Sequence, residues 1–252
     1  MRRPRPSLGV TVFIVGEDEG LWDEEVHAAR AAGAEHLMLH LEYPPGNGEL
    51  RERQIRRLRN AIKGIKPILR APRSWPSLVT PNEELRRLSL QELEATLTVG
   101  AKLGADLLIF HGGPDHLLLR GSSDMEERFR EGVQELLLLA RRLGLELAVE
   151  NLARGYPSRE EELEGALALG LRLSLDLEEA RMAGQEPREL VDHFAERLAG
   201  VAVSSEVEKE PLIAHLKEGG FAGLLTVDLP LDPDRWPIIK GALAGLRAAW
   251  GI

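Results

Sequence analysis

The sequence contains no cysteine among its 252 residues, which excludes disulfide bonds and thiolate metal sites. Asparagine and glutamine occur only four times each, a composition typical of proteins from heat-adapted hosts. Long apolar runs are also absent. After a basic start, the first apolar run extends only from Val10 to Val15. Because this run is too short for a signal-peptide core or a membrane span, we expect a cytoplasmic protein without a membrane partner.

Positive charge is in short supply as well. The formal net charge is −9, so no overall electrostatic field attracts nucleic acid, and we expect no nucleic-acid partner. The chain is 43% hydrophobic and 29% charged, as is common for globular proteins. Its length is close to the roughly 250 residues that a (β/α)₈ barrel requires.

Short apolar runs alternate with amphipathic helical segments along the whole chain, without a linker or a change in composition. We therefore treat residues 1–252 as one domain. The eight runs predicted as strands are Leu8 to Val15, His36 to Leu41, Pro67 to Arg70, Asp106 to His111, Glu146 to Asn151, Leu171 to Leu177, Gly200 to Ser204 and Gly223 to Asp228.

Eight strand–helix units in one α/β domain predict a closed parallel barrel, a single (β/α)₈ fold. The main alternative is an open doubly wound sheet. Such sheets usually have fewer strands and a glycine-rich first turn, and that turn is absent here.

Four apolar runs within the predicted strands are followed directly by an ionisable residue, namely His111, Glu150, Asp176 and Asp228. An ionised group at the end of a buried strand loses much of its hydration, so it requires a charged partner or a function. Active sites of (β/α)₈ barrels lie at the carboxyl ends of the strands. The sequence therefore predicts one polar site at that end of the barrel.

Alternation along each strand indicates which other residues face the same site. Side chains two residues apart point to the same face, so His40, Arg70 and Ser204 are expected at the barrel mouth. His116, in the loop after the fourth strand, is more consistent with a solvated residue than with a lid. The residues predicted to face inward below the mouth are Met38, Ile68, Leu107, Ile109, Glu146, Ala148, Ser174, Ala202, Leu224 and Thr226.

The strand ends resemble the motifs of a known superfamily. Leu107 to Gly113 resembles a fourth strand ending in His-x-Gly, Leu147 to Asn151 a fifth ending in Glu-Asn, and Ser174 to Asp176 a sixth ending in Asp. Gly219 to Gly223, followed by Asp228, resembles the approach to a last acidic ligand. On these motifs the chain is similar to the xylose-isomerase-like TIM barrel superfamily of sugar isomerases, epimerases and apurinic-site endonucleases.

The resemblance implies a divalent metal held by residues of strands five to eight. Carried over to this sequence, Glu150, Asp176 and Asp228 are the carboxylate ligands. In the superfamily the metal binds adjacent oxygens of a sugar. Two glutamates move a proton on and off the carbon next to the carbonyl, which assigns catalytic roles here to Glu150 and Asp228.

The sequence departs from the superfamily pattern in four places. The seventh strand has Ala202 and Ser204 where a histidine ligand is expected. Asp228 is one methylene shorter than the superfamily's glutamate. Arg70 stands where the endonuclease branch usually has histidine, and Glu179 replaces a histidine three residues after the sixth-strand aspartate.

Three converging carboxylates require positive charge nearby, since like charges that share a site raise a pKa. Arg70 supplies one positive charge, and a divalent cation would balance the rest. Oxygen ligands favour Mg²⁺ or Mn²⁺, and a nitrogen of His111 extends the choice to Zn²⁺ or Co²⁺. The predicted ligands are therefore Glu150, Asp176, Asp228 and His111. The alternative is a metal-free cluster neutralised by Arg70 and a protonated histidine.

The first functional hypothesis is a sugar or sugar-phosphate isomerase or epimerase that uses metal-assisted proton transfer next to a carbonyl. The second is a non-catalytic, metal-free barrel that binds a small polyol or sugar acid. An apurinic-site endonuclease is less consistent with the acidic chain. Because superfamily members often form dimers or tetramers, the resemblance also implies self-association. The residues predicted to bind a carbohydrate-like substrate are Arg70, His40, Ser204 and Asn151.

Overall fold

The computed structural model describes residues 5–15, 19–42, 50–114, 123–204 and 211–252. Within these ranges, eight parallel strands close into a barrel, as predicted. His116 lies outside the described residues. The strands are β1 Ser7–Val15, β2 His36–Glu42, β3 Lys66–Arg70, β4 Leu107–Phe110, β5 Glu146–Glu150, β6 Arg172–Asp176, β7 Leu198–Val203 and β8 Leu224–Val227.

Each strand pairs with the next one along the chain, and β1 pairs with β8 to close the barrel. In the closing pair, Ser7 aligns with Leu224 and Val10 with Val227. Connections between parallel neighbours require a crossover, which the helices supply. Two helices lie between β6 and β7. The helices are α1 Glu19–Ala31, α2 Glu52–Ala61, α3 Glu83–Leu103, α4 Ser123–Leu143, α5 Glu160–Ala168, α6 Leu177–Met182, α7 Pro187–Phe194, α8 Pro211–Glu218 and α9 Arg235–Trp250.

The apolar core has two separate parts. The larger part fills the layer between the barrel and its helices, and the smaller one fills the barrel interior. This separation follows from the alternation of side chains along each strand. The inner part contains Met38, Ile68, Leu107, Ile109, Ala148, Ala199 and Leu224, and all of these except Ala199 were predicted to face inward.

An irregularity in register explains the presence of Ala199 in the inner part. Leu173 aligns with Leu198 but Ser174 aligns with Gly200, so β7 contains one extra residue at this point. Above the bulge, Ala202 aligns with Asp176 of β6 and with Thr226 of β8. The extra residue therefore turns the side chain of Ala202 inward, towards the mouth of the barrel.

The amino-terminal end of the barrel is closed by His36, a residue that the sequence reasoning did not single out. His36 is fully buried; its Nε2 lies 2.9 Å from Thr226 Oγ1, and its Nδ1 lies 3.0 Å from Ser7 Oγ. Burial lowers the pKa of His36 to about 3, so the ring is neutral at physiological pH. These two contacts join β1, β2 and β8 where the barrel closes.

A short antiparallel ribbon, Gly113–Pro114 with Gly155–Tyr156, links the loops that follow β4 and β5. It restrains the backbone beside two of the strand ends that carry ionisable residues. Among the described helices, none has the length and apolar character needed to cross a membrane.

We predict that Gly9→Ala destabilises the fold. A Cβ at position 9 would lie 2.4 Å from the His36 ring and from the His36 backbone oxygen, so strand or ring must shift. Overpacking of this kind costs about 1–3 kcal/mol. The measurement is the free energy of unfolding from urea denaturation.

Gly241→Ala is the matched control for Gly9→Ala. Gly241 lies on the exposed side of α9 and a Cβ there meets no atom within 4 Å. Alanine should stabilise the helix by about 0.5–1 kcal/mol. Equal effects of the two substitutions would contradict the close packing of Gly9 against His36.

Candidate functional site

The carboxyl ends of the strands surround one buried guanidinium group, that of Arg70, the last residue of β3. Its Nε and Nη2 donate to the two carboxylate oxygens of Glu150 at 3.2 and 2.6 Å. Its Nη1 donates to Asp228 Oδ2 at 2.5 Å, and Nη2 lies 3.7 Å from Asp176 Oδ2. The structure thus brings the three predicted carboxylates together around the predicted arginine.

A second arginine, Arg73, reaches the same cluster from the loop after β3. Its Nη2 donates to Glu179 Oε1 at 2.8 Å, and its Nε lies 3.7 Å from Glu150 Oε2. Its Nη1 lies 3.8 Å from Asp176 Oδ2. The sequence reasoning missed Arg73 because it follows the strand by three residues, where alternation no longer indicates direction.

The two arginines set the ionisation of Glu150 and Asp228. Burial, the largest single effect, raises the pKa of each carboxyl group, but the positive charges of Arg70 and Arg73 and the hydrogen bonds to each group together outweigh it. The pKa values of Glu150 and Asp228 therefore lie below their ordinary values, and both groups are ionised at neutral pH.

Asp176 behaves differently from the other two carboxylates. Burial and the negative charge of Glu150 raise the pKa of Asp176 to about 7. Its Oδ1 caps α6 by accepting from the backbone nitrogens of Glu178 and Glu179 at 2.9 and 3.1 Å. Because Oδ1 is held by the helix, Oδ2 is the oxygen directed towards the arginines.

Asn151 connects the ends of β5 and β6. Its Nδ2 donates to the backbone oxygen of Asp176 at 3.0 Å, and its Oδ1 accepts from the Asp176 nitrogen at 2.7 Å. The side chain is buried and both ends of its amide are used in this way. In this arrangement Asn151 positions Asp176, which the sequence did not indicate.

His40 lies on the opposite side of the mouth, at the end of β2. Its Nε2 lies 2.8 Å from Glu42 Oε2, and its ring is 5.1 Å from the ring of Phe13. Hydrogen bonds from His40, Ser74 and the Arg73 backbone outweigh burial and lower the pKa of Glu42 to about 2. Continued alternation beyond His40 would have identified Glu42.

His111 is buried directly after β4. Neither of its ring nitrogens makes a hydrogen bond within the described part of the chain. Burial lowers the pKa of His111 to about 4, despite the nearby Glu150, so it is neutral at physiological pH. His111 is therefore not the protonated histidine of the metal-free alternative. Arg73 supplies the second positive charge of the cluster.

A cavity of about 230 Å³ opens beside the cluster. The predicted residues Glu150, His111 and Asn151 lie behind its wall, whereas His40, Arg70, Asp176, Ser204 and Asp228 reach it. The small side chain of Ala202 leaves this space open between β6 and β8. The wall is completed by Phe13, Arg73, Glu178, Glu179, Met182, Val203, Leu229 and Pro230.

The predicted ligands do not fit a divalent cation as they are arranged here. No three of Glu150, Asp176, Asp228 and His111 place ligand atoms within 4.8 Å of one another. Arg70 already bonds to both oxygens of Glu150 and to one of Asp228. We therefore assign no chemical step to a metal.

Among the described residues, the group whose ligand atoms do meet that spacing is Glu160, Glu164 and His193. All three are exposed on α5 and α7, and His193 pairs with Glu160 at 3.2 Å and with Glu164 at 2.9 Å. This group is a carboxylate–histidine set that could hold a metal, but it lies outside the barrel mouth.

Comparison with solved structures supports the fold. A D-tagatose 3-epimerase-like protein is 16% identical, with 97% of this chain and 98% of that chain covered and a TM-score of 0.78. The 3-keto-D-glucoside 4-epimerase of E. coli is 14% identical, with 97% and 100% covered and a TM-score of 0.76. A protein from Thermus thermophilus, soaked with ZnCl₂, is 20% identical, with 97% and 98% covered and a TM-score of 0.71.

No functionally curated protein matches the sequence. A family model described as the xylose isomerase-like TIM barrel matches residues 26–170, more than half of the chain. This match covers β2 to β5 and includes Arg70, His111 and Glu150, three of the residues gathered at the mouth. The chain belongs to the xylose isomerase-like TIM barrel family.

Proposed function

We propose that the protein binds one small, uncharged sugar in the cavity and isomerises or epimerises it by proton transfer next to the carbonyl. The observation that carries this proposal is the pair Asp176 and Asp228. Both reach the cavity, on either side of β7, and they differ in proton affinity. The structural neighbours described as sugar epimerases support the same reaction class.

The cavity suits a single small molecule. Its volume of about 230 Å³ is below the range of about 300–1,000 Å³ that is usual for drug-sized ligands. Phe13 offers an apolar face to the C–H groups of a sugar, while Ser204 and His40 offer polar groups to its hydroxyls. The endonuclease hypothesis gains no support from the charge of the chain, which is −9 overall.

The charge of the mouth favours a neutral ligand over a phosphorylated or acidic one. The guanidinium groups of Arg70 and Arg73 are already paired with carboxylates. An added phosphate would have to compete with these carboxylates and lie near their negative charge. Of the sugars, sugar phosphates and sugar acids that the sequence left open, we therefore propose uncharged sugars as the substrate.

In the proposed reaction, Asp176 is the base. Its pKa of about 7 makes it a stronger base than a carboxylate with an ordinary pKa, and half of it is deprotonated at neutral pH. Removal of the proton on the carbon next to the carbonyl leaves an enediolate. The N–H groups of Arg70 and Arg73 that are not bonded to carboxylates donate hydrogen bonds to its single developing negative oxygen.

The proton then returns to the sugar. Return from Asp176 to the former carbonyl carbon gives an isomer, provided that the hydroxyl proton of the original carbon passes to the former carbonyl oxygen. Protonation of the original carbon from the opposite face gives an epimer. For the epimer we propose that a water molecule held by the ionised Asp228 donates the second proton, and that the proton left on Asp176 returns to the resulting hydroxide through solvent. Glu150, which the sequence suggested as catalytic, orients Arg70 in this scheme, and Asn151 holds Asp176.

A second candidate is a non-catalytic barrel that binds a neutral polyol. The observation that favours it is the occupation of both Glu150 oxygens by Arg70, which removes that carboxylate from direct chemistry. It shares the cavity and the preference for uncharged ligands with the first candidate. It differs in predicting binding without exchange of any carbon-bound proton.

The deciding experiment is an incubation in D₂O with D-tagatose, L-ribulose and D-allulose, sugars named for the structural neighbours. NMR would follow deuterium incorporation, and calorimetry would measure binding. Incorporation at the carbon next to the carbonyl supports the enzyme. Binding of a neutral sugar without incorporation supports the polyol-binding barrel, and neither result with a broad panel of neutral sugars contradicts both candidates.

We predict that Asp176→Asn lowers kcat/KM on the sugar that exchanges by about 10²–10⁴-fold, the usual contribution of a general base. Asparagine keeps the cap of α6 and removes only the titrating oxygen. In the wild-type protein, kcat/KM should rise with pH through about 7, as Asp176 loses its proton.

Glu178→Gln is the matched control for this loss of activity. Glu178 lines the same cavity and lies two residues from Asp176 in the sequence, but its side chain is exposed. We expect its pH profile to match that of the wild type. A similar loss in both variants would show that Asp176 acts through general cavity charge and not as the base.

We also predict that Asp176→Asn stabilises the protein at alkaline pH. A raised folded-state pKa means that the folded protein holds a proton that the unfolded chain releases between about pH 4 and 7. Stability is therefore lost as pH rises through this window. Three pKa units correspond to at most about 4 kcal/mol, so the variant should gain up to that amount at pH 8 and little at pH 4.5.

Urea denaturation at the two pH values provides the measurement. The quantity compared is the difference in unfolding free energy between Asp176→Asn and wild type. A difference that does not change between pH 4.5 and 8 would contradict the raised pKa of Asp176.

A further inference from the structure

Arg70 makes the central contacts of the mouth, and each contact reaches a different strand. Its partners are Glu150 at the end of β5, Asp176 at the end of β6 and Asp228 after β8. The guanidinium group is only 2% exposed. One cation from β3 therefore connects three carboxylates across the barrel.

Three carboxylates gathered in a space that excludes most water need a positive partner within the protein or bound to it. The planar guanidinium group meets this need by donating two parallel hydrogen bonds to Glu150 and a third to Asp228. An ion bound by the same oxygens would have to occupy the volume of the Arg70 side chain. The two cations therefore exclude each other.

The seventh strand, β7, also lacks a metal ligand where it reaches the mouth. Ala202 aligns with Asp176 of the neighbouring strand and lines the cavity, so it lies at the mouth without a ligand atom. Ser204 lies further out, beside the cavity. The mouth thus combines an added internal cation with a strand that contributes no metal ligand at the level of Asp176.

We infer that Arg70 takes the place of a divalent cation, so that the barrel mouth of this protein is complete without a metal and gains a metal site when the Arg70 side chain is removed. The inference concerns binding alone and needs no substrate. A negative result for metal binding would leave the proposed sugar reaction unaffected, and the absence of sugar turnover would leave this inference unaffected.

The test is a titration with Mn²⁺, an ion that favours oxygen ligands, followed by calorimetry and by the electron paramagnetic resonance signal of free Mn²⁺. The protein carries His193→Gln throughout, which removes the exposed Glu160, Glu164 and His193 group as a competing site. Arg70→Gln is the variant of interest, because glutamine shortens the side chain and offers an oxygen ligand. Arg73→Gln is the matched control, since it removes a guanidinium group that does not bridge Glu150 and Asp228.

We expect no stoichiometric Mn²⁺ on the Arg70-containing protein or on Arg73→Gln, and one ion on Arg70→Gln, bound at least about tenfold more tightly than by either. Adding Glu150→Gln to Arg70→Gln should abolish the new binding. Arg70→Gln should also show a rise in the thermal midpoint with Mn²⁺ that the control lacks.

Three results would overturn the inference. The first is one Mn²⁺ per chain on the Arg70-containing protein that is lost in Asp228→Asn. The second is a folded Arg70→Gln variant that binds no ion. The third is an Arg70→Gln variant that remains unfolded even with Mn²⁺, because a divalent ion would then be unable to replace the guanidinium group. An unfolded variant that folds on addition of Mn²⁺ would support it.

Discussion

The buried ion cluster of Arg70 with Glu150 and Asp228 is the constraint on which the mouth of the barrel depends. Removing one member of a buried pair typically costs about 3–5 kcal/mol, because the remaining charge is left without a partner. Here the pair is 2% exposed on both sides, with two hydrogen bonds in parallel. The positions of β3, β5 and β8 at the mouth are therefore coupled through a single side chain.

The same cluster divides the carboxylates into two kinds. Glu150 and Asp228 are bonded to Arg70 and stay ionised, with pKa values below the ordinary range. Asp176 lies 3.7 Å from Arg70, beyond hydrogen-bonding distance. Its burial and the negative charge of Glu150 raise its pKa, and Arg70 does not fully compensate for them. A difference of about 1 Å in distance from one guanidinium group thus accompanies the difference between a fixed counter-charge and a group that titrates near pH 7.

The fold and most of the residues at the mouth could be predicted from the sequence, because both follow from the periodicity of side chains along strands and helices. Alternation back from each strand end correctly placed Met38, Ile68, Ile109 and Ala148 inside the barrel. It could not reveal Arg73, which lies beyond the strand, or the use of the Asn151 amide by the backbone of Asp176. Such contacts depend on side-chain conformations across distant parts of the chain, for which a short motif contains no information.

The two ends of the barrel are held together by different residues. The floor is closed by neutral His36 with Ser7 and Thr226, and the inner apolar layer lies between the floor and the mouth. Closure of β1 onto β8 therefore relies on contacts that do not involve Arg70. Because stability at the floor and charge at the mouth reside in different residues, an arginine can stand among the carboxylates while the strands that hold them keep their register.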